Sequence, residues 1–190
     1  MKLQLFGDSI SRGYFPFVQE LLAEAGWEVD SVGIGTSASF LQALEAGQSD
    51  PGAEVVHLNC GLHDLRYYTE REAHQTKLGE YVRNLRALLA LLRAEFSGRL
   101  IWATTTPVRD ECFTPEGEFI RRSEDVAAYN AAALEVVRAA GVQVNDLHRV
   151  VSDRGKDSLV CEDGTHFTEG GYRILAQAVA AAVRGAWLST

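Results

Sequence analysis

Phe6-Gly7-Asp8-Ser9-Ile10 stands at a change of pattern near the start of the chain. The apolar run before it, residues 2–6, predicts a buried strand, and the residues after it have helical spacing. A serine at such a strand-to-helix turn has an exposed hydroxyl and an N–H near the positive end of a helix, as a nucleophilic serine requires. Helix capping by Asp8 and Ser9 explains the same residues, because short capping signals are common. The turn by itself leaves both interpretations open.

Strand and helix patterns alternate from this turn along the rest of the chain. Strands are predicted at residues 2–6, 27–32, 54–60, 99–104 and 142–146, and helices at residues 11–25, 37–44, 71–96, 123–140 and 168–183. A β-α unit repeated five times implies a parallel sheet with helices on both faces. The predicted fold class is therefore α/β, with three α/β/α layers around a five-stranded parallel sheet, in a single domain over residues 1–190. Residues 107–122 lack periodicity and are predicted to form a lid or binding loop.

Composition and charge exclude several classes of partner. The chain has 190 residues and a net charge of −8, which argues against nucleic acid and against anionic membranes. No apolar run is long enough for a membrane span, and no signal peptide is visible. The three cysteines form no CxxC pair, so neither a disulfide framework nor a zinc ribbon is expected. We expect a cytoplasmic protein in a reducing compartment, and secretion stays open if a leader has been removed.

The carboxyl ends of the predicted strands bring polar residues together at one rim of the sheet, where ligands bind in open parallel sheets. The topology places five candidates there: Ser9, Gly33, His63, Asp163 and His166. A nucleophilic serine needs a base, and the base needs an orienting acid. Asp163 precedes His166 by three residues, a spacing that lets the carboxylate reach Nδ1 while Nε2 faces the serine. The bare D-x-x-H pattern is a weak signal, and a serine after the first strand strengthens it.

An oxyanion formed at this rim needs at least two hydrogen-bond donors. The backbone N–H of Ser9 is one candidate. The N–H of Gly33 is a second, because glycine permits a close backbone approach without a Cβ clash. A side-chain donor from the loop after the third strand would complete the set.

Several blocks, in order and over almost the whole chain, resemble the SGNH or GDSL hydrolases near their carbohydrate-esterase branch. They are GDSISRG at 7–13, SVG at 31–33, GLHD at 61–64, TTTPV at 104–108, YN at 129–130 and DGTHF at 163–167. The resemblance implies the flavodoxin-like SGNH hydrolase fold. It also implies a catalytic triad of Ser9, His166 and Asp163, oxyanion donation by Gly33, and activity without a metal or cofactor.

Two positions depart from the family pattern. The second block usually has asparagine where this chain has Ser31. The third block is usually G-x-N-D, and His63 replaces the asparagine whose amide supports the oxyanion. An imidazole N–H is able to serve as this donor, and the alternative is that His63 turns away.

The activity expected from the resemblance is hydrolysis of a small-molecule ester with a short acyl group, such as an acetyl group on a sugar. Thioesterase or lysophospholipase activity at the same site is an alternative. A catalytically weak ligand-binding member of the same fold is another, and the replacement at His63 motivates it. The oligomeric state stays open.

Overall fold

A computed structural model describes residues 1–114 and 116–188; Pro115, within the predicted loop, and the last two residues of the predicted domain lie outside it. Five parallel strands form the central sheet in the order β2-β1-β3-β6-β7. Their bounds are β1 Lys2–Gly7, β2 Glu28–Gly33, β3 Val55–Leu58, β6 Arg99–Ala103 and β7 Gln143–Asn145. The fold class predicted from the sequence is confirmed.

The helices cover both faces of the sheet and form the outer two layers. Their bounds are α1 Ser9–Ala23, α2 Ser37–Glu45, α3 Leu78–Glu95, α4 Ser123–Ala139, α5 Leu147–Ser152, α6 Lys156–Leu159 and α7 Glu169–Leu188. Helices α1, α5 and α7 pack together on one face, and α2, α3 and α4 pack together on the other. Among the described residues, no helix is both long and apolar enough to cross a membrane.

Two segments differ from the sequence prediction. The helix predicted to begin at residue 71 begins at Leu78, because the residues before it form an antiparallel hairpin of β4 Tyr67–Tyr68 and β5 Ala73–His74. Glu72 in its turn has a positive φ of 48°, which a helix does not allow. Tyr67 and Ile120 each donate a backbone N–H to the other's carbonyl oxygen at 2.9 Å. These two hydrogen bonds hold the hairpin against the predicted loop.

The region between the last strand and the last helix also contains more helix than predicted. Helices α5 and α6 occupy part of the segment that the sequence suggested to be a loop. Asp146 begins α5 by accepting a hydrogen bond from the Arg149 N–H at 3.1 Å. The predicted loop over residues 107–122 contains one short 3-10 helix, Asp110–Cys112.

Candidate active site

Ser9 is the first residue of α1, and the residues on either side fix its position. Asp8 caps the helix, since its Oδ1 accepts a hydrogen bond from the Ile10 N–H at 2.9 Å. Gly7 has to lack a side chain, because a Cβ there would lie 2.5 Å from the Ser11 Oγ. Capping therefore accounts for Asp8 and leaves the half-buried Ser9 hydroxyl free for other contacts.

The imidazole of His166 joins Ser9 to Asp163. Its Nε2 lies 2.8 Å from the Ser9 Oγ, and its Nδ1 lies 2.5 Å from Oδ2 of Asp163. The other carboxylate oxygen, Oδ1, accepts hydrogen bonds from the backbone N–H groups of Thr165 and His166, each at 2.9 Å. Burial raises the pKa of Asp163, but these hydrogen bonds outweigh it and hold the pKa below its usual value. An oriented, negatively charged carboxylate thus faces one side of the ring, and a serine hydroxyl faces the other.

Gly164 lets the loop that carries Asp163 pack directly on the chain around residues 109–113. Its φ is +73°, in the left-handed region that favours glycine. A Cβ at this position would lie 2.7 Å from the Cβ of Cys112 and 2.9 Å from the carbonyl oxygen of Arg109. The Arg109 N–H also donates to the Gly164 carbonyl at 3.0 Å. Close packing therefore holds the carboxylate and the imidazole of this loop in place.

His63 lies in the turn after β3 and stands beside the loop after β2. Its Nδ1 would be 3.8 Å from a Cβ on Gly35. Burial lowers the pKa of His63 to about 4, and the positive charges of Arg66 and Arg121 act in the same direction. At neutral pH the ring is therefore uncharged and carries a single N–H.

The two glycines after β2 offer different backbone N–H groups to the site. The Ile34 N–H donates to the carbonyl oxygen of Gly7 at 2.8 Å, so the alternation of the strand turns the N–H of Gly33 to the outer side of this edge strand. Gly35 lies beside the ring of His63, and its N–H donates to the Ser39 Oγ at 3.1 Å. The sequence singled out Gly33, and the structure adds Gly35 as a second candidate.

Two other polar residues, Asn59 just before the third block and Asp64 within it, hold the backbone around the site. The Asn59 amide donates to the carbonyl oxygen of Ala103 at 2.8 Å and so joins the ends of β3 and β6. The buried Asp64 accepts hydrogen bonds from both the N–H and the hydroxyl of Ser37 at the start of α2. The loops after β2 and β3 are thereby tied together.

Arg121 is a residue of this site that the sequence did not indicate. Its side chain is 6% exposed, its Nε donates to the carbonyl oxygen of Leu62 at 3.0 Å, and its Nη1 donates to the Thr165 Oγ1 at 3.0 Å. It therefore links the residue before His63 to the residue before His166. Burial and the nearby charge of Arg66 lower the pKa of Arg121 to about 10, so it keeps its charge at neutral pH.

Sequence comparison assigns the family. The profile of the GDSL-like Lipase/Acylhydrolase family matches residues 5–174. The chain belongs to this family of acylhydrolases, as the sequence blocks suggested, and ester hydrolysis is the reaction class that this membership assigns to it. No curated protein matches the chain significantly in sequence.

Solved structures with the same fold include esterases and acylhydrolases. An acetyl xylan esterase superposes with a TM-score of 0.78 at 18% identity, covering 96% of this chain and 100% of its own. A lipase/acylhydrolase from Enterococcus faecalis gives 0.77 at 21% identity, with 97% and 95% covered. An acetylxylan esterase from Geobacillus stearothermophilus gives 0.74 at 19% identity, with 96% and 93% covered. At these identities the similarity shows the fold alone.

Proposed function

We propose that this protein is a serine esterase in which Ser9 forms an acyl-enzyme. The observation that carries the proposal is the hydrogen-bonded chain from the Ser9 hydroxyl through His166 to Asp163. With Nδ1 donating to the carboxylate, Nε2 is the free acceptor of the ring and is in position to take the serine proton. A carboxylate that stays ionised favours the imidazolium formed when that proton moves.

The reaction then follows from these positions. The Ser9 oxygen attacks the ester carbonyl, and His166 takes the proton and delivers it to the departing alcohol. Water attacks the resulting acyl-enzyme with the same imidazole as base, which releases the acid and restores the serine. Residues of this chain supply every catalytic group in these reaction steps, so the proposal requires no metal or cofactor.

The oxyanion of the tetrahedral intermediate is the charge that needs stabilising. The Ser9 N–H lies at the positive end of α1, and His63 supplies a neutral imidazole N–H. Gly33 remains the backbone donor predicted from the sequence. The position of Gly35 beside His63 supports Gly35 as an alternative backbone donor. In that role its N–H would have to leave the Ser39 hydroxyl and donate to the oxyanion instead.

The substrate that we propose is an ester of a short acyl group, with acetylated sugars as the leading class. Two of the structural neighbours are acetyl xylan esterases, which supports this choice. Another is a lipase/acylhydrolase, so thioester and lysophospholipid substrates belong in the same assay panel. The ligand-binding alternative predicts binding of such compounds without turnover.

Pre-steady-state hydrolysis of p-nitrophenyl acetate tests the proposal. Wild-type protein should release a burst of p-nitrophenol equal to the enzyme concentration, followed by slower turnover. Ser9→Ala should lose the burst and about 10⁴-fold or more in kcat. Ser152→Ala, an exposed serine on α5, is the matched control and should behave like wild type. Equal, slow rates for wild type and Ser9→Ala on this ester and on acetylated xylo-oligosaccharides would reject esterase function.

A further inference from the structure

Two arginine side chains meet at the turn that carries His63. The guanidinium carbon of Arg66 lies 4.5 Å from the centre of the Phe119 ring, and that of Arg121 lies 4.9 Å from the same centre. The backbone N–H of Arg66 donates to the His63 carbonyl oxygen at 3.4 Å. Arg121 donates to the carbonyl of Leu62, the residue before it. The backbone of Arg66 and the side chain of Arg121 thus bond to the turn that carries the candidate oxyanion donor, and both guanidinium groups lie against Phe119.

Neither arginine forms an ion pair with an acid among the described residues. In the described part of the chain, none of the ion pairs includes Arg66 or Arg121, although the net charge is −8. The charges of Asp8 and Asp163 favour charged Arg121 without forming an ion pair with it; Oδ1 of Asp8 accepts from the Ile10 N–H, and Oδ2 of Asp163 contacts His166. The charge of Arg66 acts against that of Arg121, and a bound anion would offset this repulsion.

The two arginines differ in how much of their hydrogen-bonding capacity is used. Arg121 uses two of its N–H groups in hydrogen bonds to a backbone carbonyl and a hydroxyl of the site loops, so part of its role is to hold these loops together. Arg66 is half-buried, and its Nε is fully buried without a hydrogen-bond partner among the described residues. A buried, charged donor without a partner is costly, and an anion bound at the exposed part of this half-buried guanidinium would offset that cost.

We infer that Arg66 and Arg121 form a carboxylate-binding subsite next to the reacting carbonyl, so that the preferred ester of this enzyme carries a negative charge. The inference rests on the proposed esterase function and narrows its substrate class. The carboxylate belongs either to the acyl part, as in a dicarboxylic acid half-ester, or to the alcohol part, as in an acetylated acidic sugar. In both kinds of ester, a carboxylate would contact the two guanidinium groups.

Two matched ester pairs test the inference and separate the two sources of the carboxylate. The acyl pair is mono-p-nitrophenyl glutarate and p-nitrophenyl pentanoate, and the alcohol pair is m-acetoxybenzoate and phenyl acetate. The measured quantity is the ratio of kcat/KM for the anionic ester to that for its neutral partner, after subtraction of uncatalysed hydrolysis. Wild-type enzyme should favour the anionic member of one pair, and this preference should shrink as KCl is added.

Arg66→Gln should lower kcat/KM for the favoured anionic ester about 10- to 100-fold, the loss expected for one charged hydrogen-bonding contact, and should lower the neutral rate much less. Arg66→Lys should keep part of the preference, because it retains the charge without the planar fork. The matched control is Arg71→Gln, which removes an arginine stacked on Tyr68 in the same hairpin and should leave the ratio as in wild type.

The results that would overturn the inference are a wild-type ratio near one in both pairs, or an equal ratio in wild type and Arg66→Gln. Failure of the proposed function gives a different result, since wild type would then hydrolyse none of the four esters. In that case calorimetric titration with glutarate decides: binding by wild type that Arg66→Gln loses supports the subsite, and no binding by either rejects it.

Discussion

His63 occupies the position at which this chain departs most from its family, and its replacement by alanine and by asparagine gives a sharp prediction. Because the pKa of His63 is lowered to about 4, only about one ring in a thousand is protonated at pH 7. The proposed oxyanion donor is then a neutral N–H, and its loss should cost what an uncharged donor is worth in the transition state. For a single oxyanion donor this is about 10²- to 10³-fold in kcat.

Steady-state kinetics with p-nitrophenyl acetate between pH 5.5 and 8.5 measure this effect. His63→Ala should lower kcat by about that factor with little change in KM, because the contact exists only in the transition state. His63→Asn should stay within about tenfold of wild type, since its amide supplies an uncharged donor. The shape of the pH profile should be shared by wild type and His63→Asn, because neither side chain changes charge in this range.

His148→Ala serves as the control, since it removes another half-buried histidine that lies on α5 and outside the Ser9–His166 contact. Unchanged kcat in His63→Ala would reject the donor role. A His63→Asn variant as slow as His63→Ala would also contradict the reasoning, because it would show that hydrogen-bond donation is not what the position supplies.

Three further substitutions probe the frame of the site. Gly164→Ala should lower the free energy of unfolding in urea by about 2 kcal/mol or more, because φ is +73° and the new Cβ meets a neighbour at 2.7 Å; equal stability would contradict the packing described. Burial lowers the pKa of His57 to about 3 from 6.5. Between these two pH values the unfolded state binds more protons than the folded state. The free energy of unfolding of wild type should therefore fall by up to about 1.4 kcal/mol per pH unit as the pH falls through this range. His57→Leu should lack that part of the slope in urea titrations at about pH 6 and about pH 4.5, and identical slopes would refute it. Arg121→Lys keeps the charge but not both hydrogen bonds, so thermal unfolding should occur several degrees lower and kcat should fall about tenfold. Wild-type values for both would show that the two hydrogen bonds of the guanidinium are not needed.

The arrangement of the rim could be predicted because topology dictates it. Parallel strands place their carboxyl ends on one edge, so Ser9 after β1 and His166 after β7 meet although they are 157 residues apart in the chain. The spacing of Asp163 and His166 is local, and a turn with Gly164 at its centre brings their side chains together. Fold class and family were therefore accessible from alternation and short motifs.

The hairpin at residues 67–74 could not be predicted because a distant contact stabilises it. Tyr67 pairs with Ile120, which lies in a segment without periodicity, and the rings of Tyr67 and His74 pack edge to face with 5.3 Å between centroids. Nothing within the segment itself distinguishes it from the start of the following helix. Long-range pairing of this kind overrides local helix propensity.

Arg121 and Gly35 were missed for a related reason. Arginine is usually exposed, and no local pattern indicates that Arg121 is buried between two loops that are distant in sequence. Of the two glycines, the sequence indicated only Gly33 as a backbone donor. The register of β2 on β1 and the position of Gly35 beside His63 are what add Gly35. The pattern indicated that polar residues meet at this rim, and the hydrogen bonds among them required the structure.

Covalent trapping tests the central claim, that Ser9 is the nucleophile, most directly. Wild-type protein incubated with a fluorophosphonate should gain the mass of one phosphonyl group by intact mass spectrometry, and peptide mapping should locate it on Ser9. Ser9→Ala should gain none. A phosphonyl group on any other residue, or ester hydrolysis that persists in Ser9→Ala at the wild-type rate, would contradict the account.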